Sequence, residues 1–138
     1  MGKTLVLAID PGSAKCGVAL LAGTPGSDES QTVCRAVVER EALSETISRL
    51  TIQHTPDVVV IGNGTRHEDV LEELKLAASA PIRVVDEYAT TLAARKLYFE
   101  ENPPRGWRRL IPRSMQLPPA PYDDYVAILL ARRYLKTL

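Results

Sequence analysis

One run of six residues, at positions 57–62, restricts the fold of this chain more than any other feature. It reads Asp-Val-Val-Val-Ile-Gly, with no alternation of polar and apolar residues. A short, continuous run of β-branched residues is typical of a central strand that is buried on both faces of its sheet. Because both faces of such a sheet must be covered, the run predicts a layered α/β fold with helices on both sides.

The remaining segments predict the order in which helices and strands follow one another. Strand-like runs occupy residues 4–9, 16–21, 32–39 and 82–85, and the first two are joined by turn residues. Apolar residues at helical spacing predict helices over residues 41–54, 66–80, 90–101 and 122–135. The predicted order is βββαβαβαα, which gives a mixed five-stranded sheet within one domain, residues 1–138.

Composition narrows the class of protein. With 45% hydrophobic and 25% charged residues, the chain is ordinary for a soluble globular protein. Its apolar stretches are too short to cross a bilayer, and residues 1–3 lead directly into a strand-like run without a signal-peptide pattern. We therefore expect a cytoplasmic protein with no membrane partner. Cys16 and Cys34 lack the paired spacing of a zinc site and are expected to be reduced, buried thiols.

Acidic residues stand where predicted elements begin or end. Asp10 directly follows the first strand, Asp86 and Glu87 follow the last strand, and Asp123 and Asp124 open the final helix. Ligands of open sheets gather beyond strand ends, so these carboxylates are candidates for one site. Each also has an ordinary structural interpretation, as a turn residue, a loop acid or a helix N-cap.

Asp124 is the hardest of these acids to explain structurally. It lies in the first turn of the final helix, on the face shared with the apolar residues Ala127, Ile128 and Ala131. A carboxylate on a packed face is costly unless a positive charge lies opposite it. A divalent cation is one solution, since Mg²⁺ prefers carboxylate and water oxygens. Three acids from separate segments could bind one or two Mg²⁺ or Mn²⁺ ions that activate water for phosphodiester hydrolysis.

A basic stretch precedes the final helix, although the formal net charge of the chain is zero. Residues 103–120 contain no acid and four arginines: Arg105, Arg108, Arg109 and Arg113. One interpretation is a solvated connection. The other is a nucleic-acid contact, in which the arginines bind phosphates while Trp107 or Tyr122 stacks on a base.

Four motifs together resemble the YqgF-like and RuvC-like Holliday junction resolvase family of the RNase H-like superfamily. The opening hairpin motif is LAIDPGS at residues 7–13 with CGVA at residues 16–19, and the central strand is VVVIG at residues 58–62. The later motifs are VDEYATT at residues 85–91 and DYVA at residues 124–127. The matches span almost the whole chain in the family's order.

The resemblance implies a nuclease that uses Mg²⁺ or Mn²⁺ to cleave branched DNA in recombination or precursor RNA such as rRNA. It assigns catalytic and metal-binding roles to Asp10, Glu87 and Asp124, with Asp123 or Asp86 as a candidate fourth ligand. Family members act as monomers or homodimers, and the sequence leaves both open.

The chain also departs from the family pattern. Residues 62–65 read Gly-Asn-Gly-Thr where relatives have Gly-Leu-Pro or a carboxylate, Tyr88 replaces an expected arginine, and residue 121 is proline rather than an acid. These departures keep a second hypothesis open, a nucleic-acid-binding module that has lost efficient catalysis. A phosphate-binding fragment related to sugar kinases is disfavoured, because 138 residues leave no room for a second domain that encloses ATP.

Overall fold

The computed structural model describes residues 2–27, 29–64, 67–112, 116–118 and 120–138. The predicted order of elements is confirmed. The strands are β1 (Thr4–Asp10), β2 (Lys15–Gly23), β3 (Ser30–Glu39), β4 (Val58–Gly62) and β5 (Ile82–Val85). The helices are α1 (Leu43–His54), α2 (His67–Ala77), α3 (Thr90–Glu101) and α4 (Asp123–Thr137).

The five strands form one mixed sheet, as predicted, and their order in it is β3-β2-β1-β4-β5. β1, β2 and β3 form an antiparallel meander, whereas β1, β4 and β5 are parallel. The carboxyl ends of the three parallel strands therefore lie at the same edge of the sheet. At this edge Asp10 pairs with Gly17 of β2, and Gly62 pairs with Val85.

Helices cover both faces of the sheet, and β4 shows why its sequence is so apolar. All five of its residues are buried. Val58 and Val60 pack into the core beneath α3 and α4, while Val59 and Ile61 pack into the opposite core beneath α1 and α2. Because burying each such side chain stabilises the fold by about 1.5–3 kcal/mol, polar alternation would be costly on either face. Among the described helices, none combines the length and apolar character of a membrane span.

The basic stretch of residues 103–120 contains a short helical segment among its described residues. Residues Gly106–Leu110 form a 3-10 helix. The Nε2 atom of Gln116, which is buried, donates hydrogen bonds to the carbonyls of Arg108 and Ile111, each at 2.8 Å. Both cysteines are free thiols; Cys16 is buried as expected, whereas Cys34 is only half-buried.

Candidate functional site

A cavity of about 490 Å³ opens at the edge of the sheet where β1 and β5 end. We call it the acidic cavity because three carboxylates line it: Asp10, Glu87 and Asp123. The threonines at the start of α3 and the segment that leads into α4 complete its wall. Among its described lining residues none is basic.

Asp10 and Glu87 form the closest pair of acids in this cavity. The pKa of the Asp10 carboxyl is raised to about 8, first by burial, then by a hydrogen bond with the Glu87 side chain, and then by the negative charges of Glu87 and Asp123. A hydrogen bond between two carboxyls requires a proton on one of them. At neutral pH and without a cation, Asp10 therefore holds that proton.

Two glycines of the strand β4 and its following loop make room for the Glu87 side chain. A Cβ atom on Gly62 would overlap the Glu87 carboxylate, and a Cβ on Gly64 would lie 2.6 Å from Glu87 Oε2. Between them, Asn63 Oδ1 accepts a hydrogen bond from the Glu87 backbone N–H at 3.1 Å. The Gly-Asn-Gly sequence, where this chain departs from the pattern of the family it resembles, thus has a local structural role. Its glycines leave space for the Glu87 side chain, and its asparagine accepts a hydrogen bond from the Glu87 backbone.

The loop around Glu87 is fixed at its backbone groups. The Glu87 carbonyl accepts hydrogen bonds from the Thr90 N–H at 3.0 Å and from Thr90 Oγ1 at 2.6 Å. The exposed Asp86 side chain turns back and accepts from the Tyr88 N–H at 3.0 Å. From α4, Arg133 donates to the carbonyls of Asp86 and Tyr88 on either side of Glu87. Glu87 consequently points into the acidic cavity while Asp86 closes the turn.

A glycine in β2 brings the start of α4 close to the sheet. Gly17 lies beside Asp10 in the register of β1 and β2. A Cβ on Gly17 would overlap the Asp123 carbonyl, so only glycine allows this approach. The contact sets Asp123 next to Asp10. Burial raises the pKa of Asp123, and the charge of Asp124 raises it further, while Lys15 opposes the shift.

Asp124 has a different environment. It is buried, and its Oδ2 accepts a hydrogen bond from Arg35 Nη1 of β3 at 2.6 Å, which forms an ion pair. The Arg35 guanidinium lies 4.6 Å from the centre of the Tyr125 ring, in a cation–π arrangement. Arg35 supplies the positive partner that the sequence argument required for a buried carboxylate on α4.

The structure thus brings Asp10, Glu87 and Asp123 to one cavity, whereas Asp124 does not line it. The metal-binding role expected for Asp124 stays a prediction. Among the described residues, no group of three Asp, Glu, His or Cys side chains converges closely enough to form a complete metal site. Water or substrate oxygens would have to supply the remaining ligands.

Of the predicted nucleic-acid contacts that the structure describes, the arginines and Trp107 lie outside the acidic cavity, whereas Tyr122 lines it. Arg105, Trp107, Arg108 and Arg109 are exposed on and before the 3-10 helix, with Trp107 70% exposed. Within the described part of the chain these arginines form no ion pair. Arg113 lies outside the described residues. Tyr122 lines the cavity, and its hydroxyl accepts a hydrogen bond from Arg95 Nε at 3.0 Å.

Sequence reasoning missed several residues that build the site: Arg35, Gly17, Gly64 and Arg133. Gly17 carried a usable signal, because a glycine inside an apolar strand often marks a close approach of another backbone. The two arginines carried none, since a lone base in a strand or helix is usually a solvated side chain.

Comparison with solved structures identifies the fold. The chain has the RNase H-like fold of the RuvC-like resolvases. It matches the structure of Thermus thermophilus RuvC at 14% identity, with 94% of this chain and 91% of that chain covered and a TM-score of 0.62. The fowlpox virus resolvase in complex with Holliday junction DNA matches at 10% identity, 97% and 98% coverage and a TM-score of 0.65.

A second structure of the fowlpox virus Holliday junction resolvase matches at 13% identity, 98% and 100% coverage and a TM-score of 0.61. At such low identities the likeness establishes the fold alone. No protein-family model matches the sequence, and no curated protein sequence matches it. Membership of the YqgF-like branch stays a prediction.

Proposed function

We propose that this protein is a divalent-metal-dependent nuclease that hydrolyses phosphodiester bonds in nucleic acid. One observation carries the proposal: Asp10, Glu87 and Asp123 come from three separate segments and line one cavity whose described lining contains no basic residue. Carboxylates are rarely brought together in this way unless a cation or a shared proton compensates their repulsion.

The donor set fits Mg²⁺ or Mn²⁺. Glu87 Oε1 is buried and has no hydrogen-bond partner among the described residues, and the Asp10 and Glu87 carboxyls are close enough to share a proton. A cation would take the place of that proton and satisfy the unpartnered oxygen. Asp10 and Glu87 would hold it, with Asp123 in the same cavity, and water or substrate oxygens would complete its ligands because the three acids do not converge closely enough to hold it alone. When bound, such an ion lowers the pKa of water and stabilises charge on a phosphate.

The residues of this chain prepare the cavity in distinct ways. Two hydrogen bonds fix the Glu87 backbone before substrate arrives: its N–H donates to Asn63 Oδ1, and its carbonyl accepts from Thr90 Oγ1. The Asp10 carboxyl holds a proton that must leave when a cation binds. Thr91 lines the cavity with its hydroxyl exposed, so it can donate a hydrogen bond to a phosphate oxygen.

The substrate we propose is a branched DNA, such as a Holliday junction, or a structured RNA such as an rRNA precursor. Two solved resolvases with this fold were determined with Holliday junction DNA. The exposed arginines of residues 105–109 would bind backbone phosphates, and Trp107 would stack on an unpaired base. Cleavage of a two-fold-symmetric junction would require a homodimer that presents two cavities.

A cleavage panel tests the proposed function. The purified protein is incubated with four-way DNA junctions, single-stranded DNA and structured RNA in Mg²⁺, Mn²⁺ or EDTA, beside the Asp10→Asn variant. We expect cleavage of at least one substrate with metal and none in EDTA or with the variant. Cleavage that continues at full rate in excess EDTA would overturn the metal mechanism.

A second candidate is a nucleic-acid-binding module without efficient cleavage. Two observations favour it: Asp124 forms an ion pair with Arg35, and no three acids converge closely among the described residues. Binding to the same panel without cleavage in either metal would support this candidate.

A further inference from the structure

A second cavity, of about 450 Å³, lies between α3 and the later turns of α4. We call it the basic groove because three bases of α4 line it: Arg132, Arg133 and Lys136. Ala93 and Leu129 supply an apolar floor, and Thr90 forms one end. Neither the sequence motifs nor the proposed chemistry used these bases.

The positive charge of the basic groove is not compensated within the described chain. None of its three bases takes part in the ion pairs of the described residues. Arg132 Nε is buried and has no hydrogen-bond partner there. Arg133 donates to two backbone carbonyls, which are neutral and leave its charge in place. Such an arrangement is suited to an anion with several oxygen acceptors.

The basic groove adjoins the acidic cavity. Thr90 lines both cavities, and its hydroxyl bonds the Glu87 carbonyl. Arg133, which lines the groove, holds the carbonyls on either side of Glu87. A strand whose phosphodiester lies at the acids would therefore pass the groove within a short distance along its backbone.

We propose that the basic groove binds a backbone phosphate of the nucleic acid that is cleaved, close to the scissile phosphodiester. This inference rests on the proposed function and extends it, because it adds a phosphate subsite on α4 that is separate from the arginines of residues 105–109. The ligand is a phosphodiester, whose oxygens Arg132 and Lys136 would bind regardless of base sequence.

The salt dependence of binding tests the groove. The test variant is Arg132→Gln with Lys136→Gln; Arg133 is left intact because it positions the Glu87 loop. The matched control is Arg49→Gln with Lys75→Gln, which removes the same charge from exposed positions on α1 and α2, beneath the opposite face. Binding of the four-way junction and single-stranded DNA is measured in EDTA over a range of salt concentrations.

Each lost phosphate contact lowers the slope of log affinity against log salt by roughly 0.7–0.9. We expect the slope of the groove variant to fall by the amount that corresponds to about two contacts. The slope of the control variant should stay close to that of the unmodified protein. Lys136→Gln alone, at an exposed position that does not affect folding, should lower it by about one.

The outcomes separate this inference from the proposed function. If the unmodified protein binds and cleaves but the groove variant keeps its slope, the groove proposal is wrong and the nuclease proposal stands. An equal fall in the control would also overturn the groove proposal, because bulk charge would explain it. If the unmodified protein neither binds nor cleaves any substrate, both proposals are wrong.

Discussion

Two carboxylate regions, one buried and one half-buried, lie side by side at the start of α4, and they differ in the charges around them. Around Asp124, the carboxylate has a full ion pair with Arg35 and a neighbouring ring. Around Asp10, three acids share one cavity without any described base, and the pKa of Asp10 is raised to about 8. The first region is compensated by an ion pair within the fold, whereas the second gathers acids without a base in its described lining, which is the feature on which the proposed function rests.

The largest effect should come from removing a carboxylate of the acidic cavity. Asp10→Asn should slow cleavage by roughly a thousandfold, because a metal ligand stabilises the transition state by several kcal/mol. The same variant should unfold at a slightly higher temperature in EDTA, since it relieves the crowding of acids. Single-turnover cleavage checks the first expectation, and thermal unfolding checks the second. An unfolding temperature below that of the unmodified protein would contradict the view that the acids of the cavity repel one another.

The two neighbouring acids after β5 offer a matched pair within the same loop. Glu87→Gln should lower kcat by about a hundredfold or more, since Glu87 points into the cavity. Asp86→Asn should change it by no more than a few-fold, because its oxygen only accepts a bond from the Tyr88 N–H. Cleavage rates at saturating metal distinguish the two acids. A larger effect from Asp86→Asn would mean that the acid acting in the cavity is Asp86 and not Glu87.

The raised pKa of Asp10 predicts how stability depends on pH. The folded chain holds this proton up to about pH 8, whereas the ordinary value is 3.8. The Asp10 carboxyl should therefore lower the free energy of unfolding progressively as pH rises from about 4 to about 8. Urea denaturation in EDTA should show Asp10→Asn gaining on the unmodified protein through this window. A constant difference between the two would contradict the prediction.

Asp123→Asn and Asp124→Asn should separate chemistry from stability. Asp124→Asn breaks an ion pair whose arginine side chain is 42% exposed, so it should cost about 1–2 kcal/mol, between typical exposed and buried pairs. Asp123→Asn should leave stability nearly unchanged but impair cleavage. Urea denaturation and cleavage rates are measured on both. If Asp124→Asn is the more damaging to cleavage of folded protein, the sequence-based role of Asp124 is correct.

The smallest effect on chemistry should come from the arginines of residues 105–109. Replacing Arg105, Arg108 and Arg109 with alanine should reduce the slope of log affinity against log salt by the amount that corresponds to up to about three phosphate contacts. Cleavage at saturating substrate should be unchanged. Trp107→Ala should weaken binding to single strands more than to duplex, because stacking needs an unpaired base. An unchanged salt slope would indicate that this segment is only a solvated connection.

Much of the fold was predictable from local patterns, and the site less so. The Val-Val-Val-Ile run of β4 and the spacing of apolar residues in the helices fix element type because burial dictates them. Periodicity places a residue on a helix face, yet it does not settle which of Asp123 and Asp124 turns toward the sheet edge in the first turn. That choice depends on Arg35, which belongs to a strand far away in sequence.

The close contact of Gly17 with the Asp123 carbonyl has a consequence for folding. It joins the second strand to the last helix across most of the chain, and contacts so distant in sequence form slowly. Until α4 docks, Asp10 and Asp123 are separate and solvated, and their repulsion is absent. We therefore expect the contact that assembles the acidic cavity to form late in folding. A divalent ion bound in the acidic cavity would stabilise this late contact. It should therefore slow unfolding more than it speeds refolding.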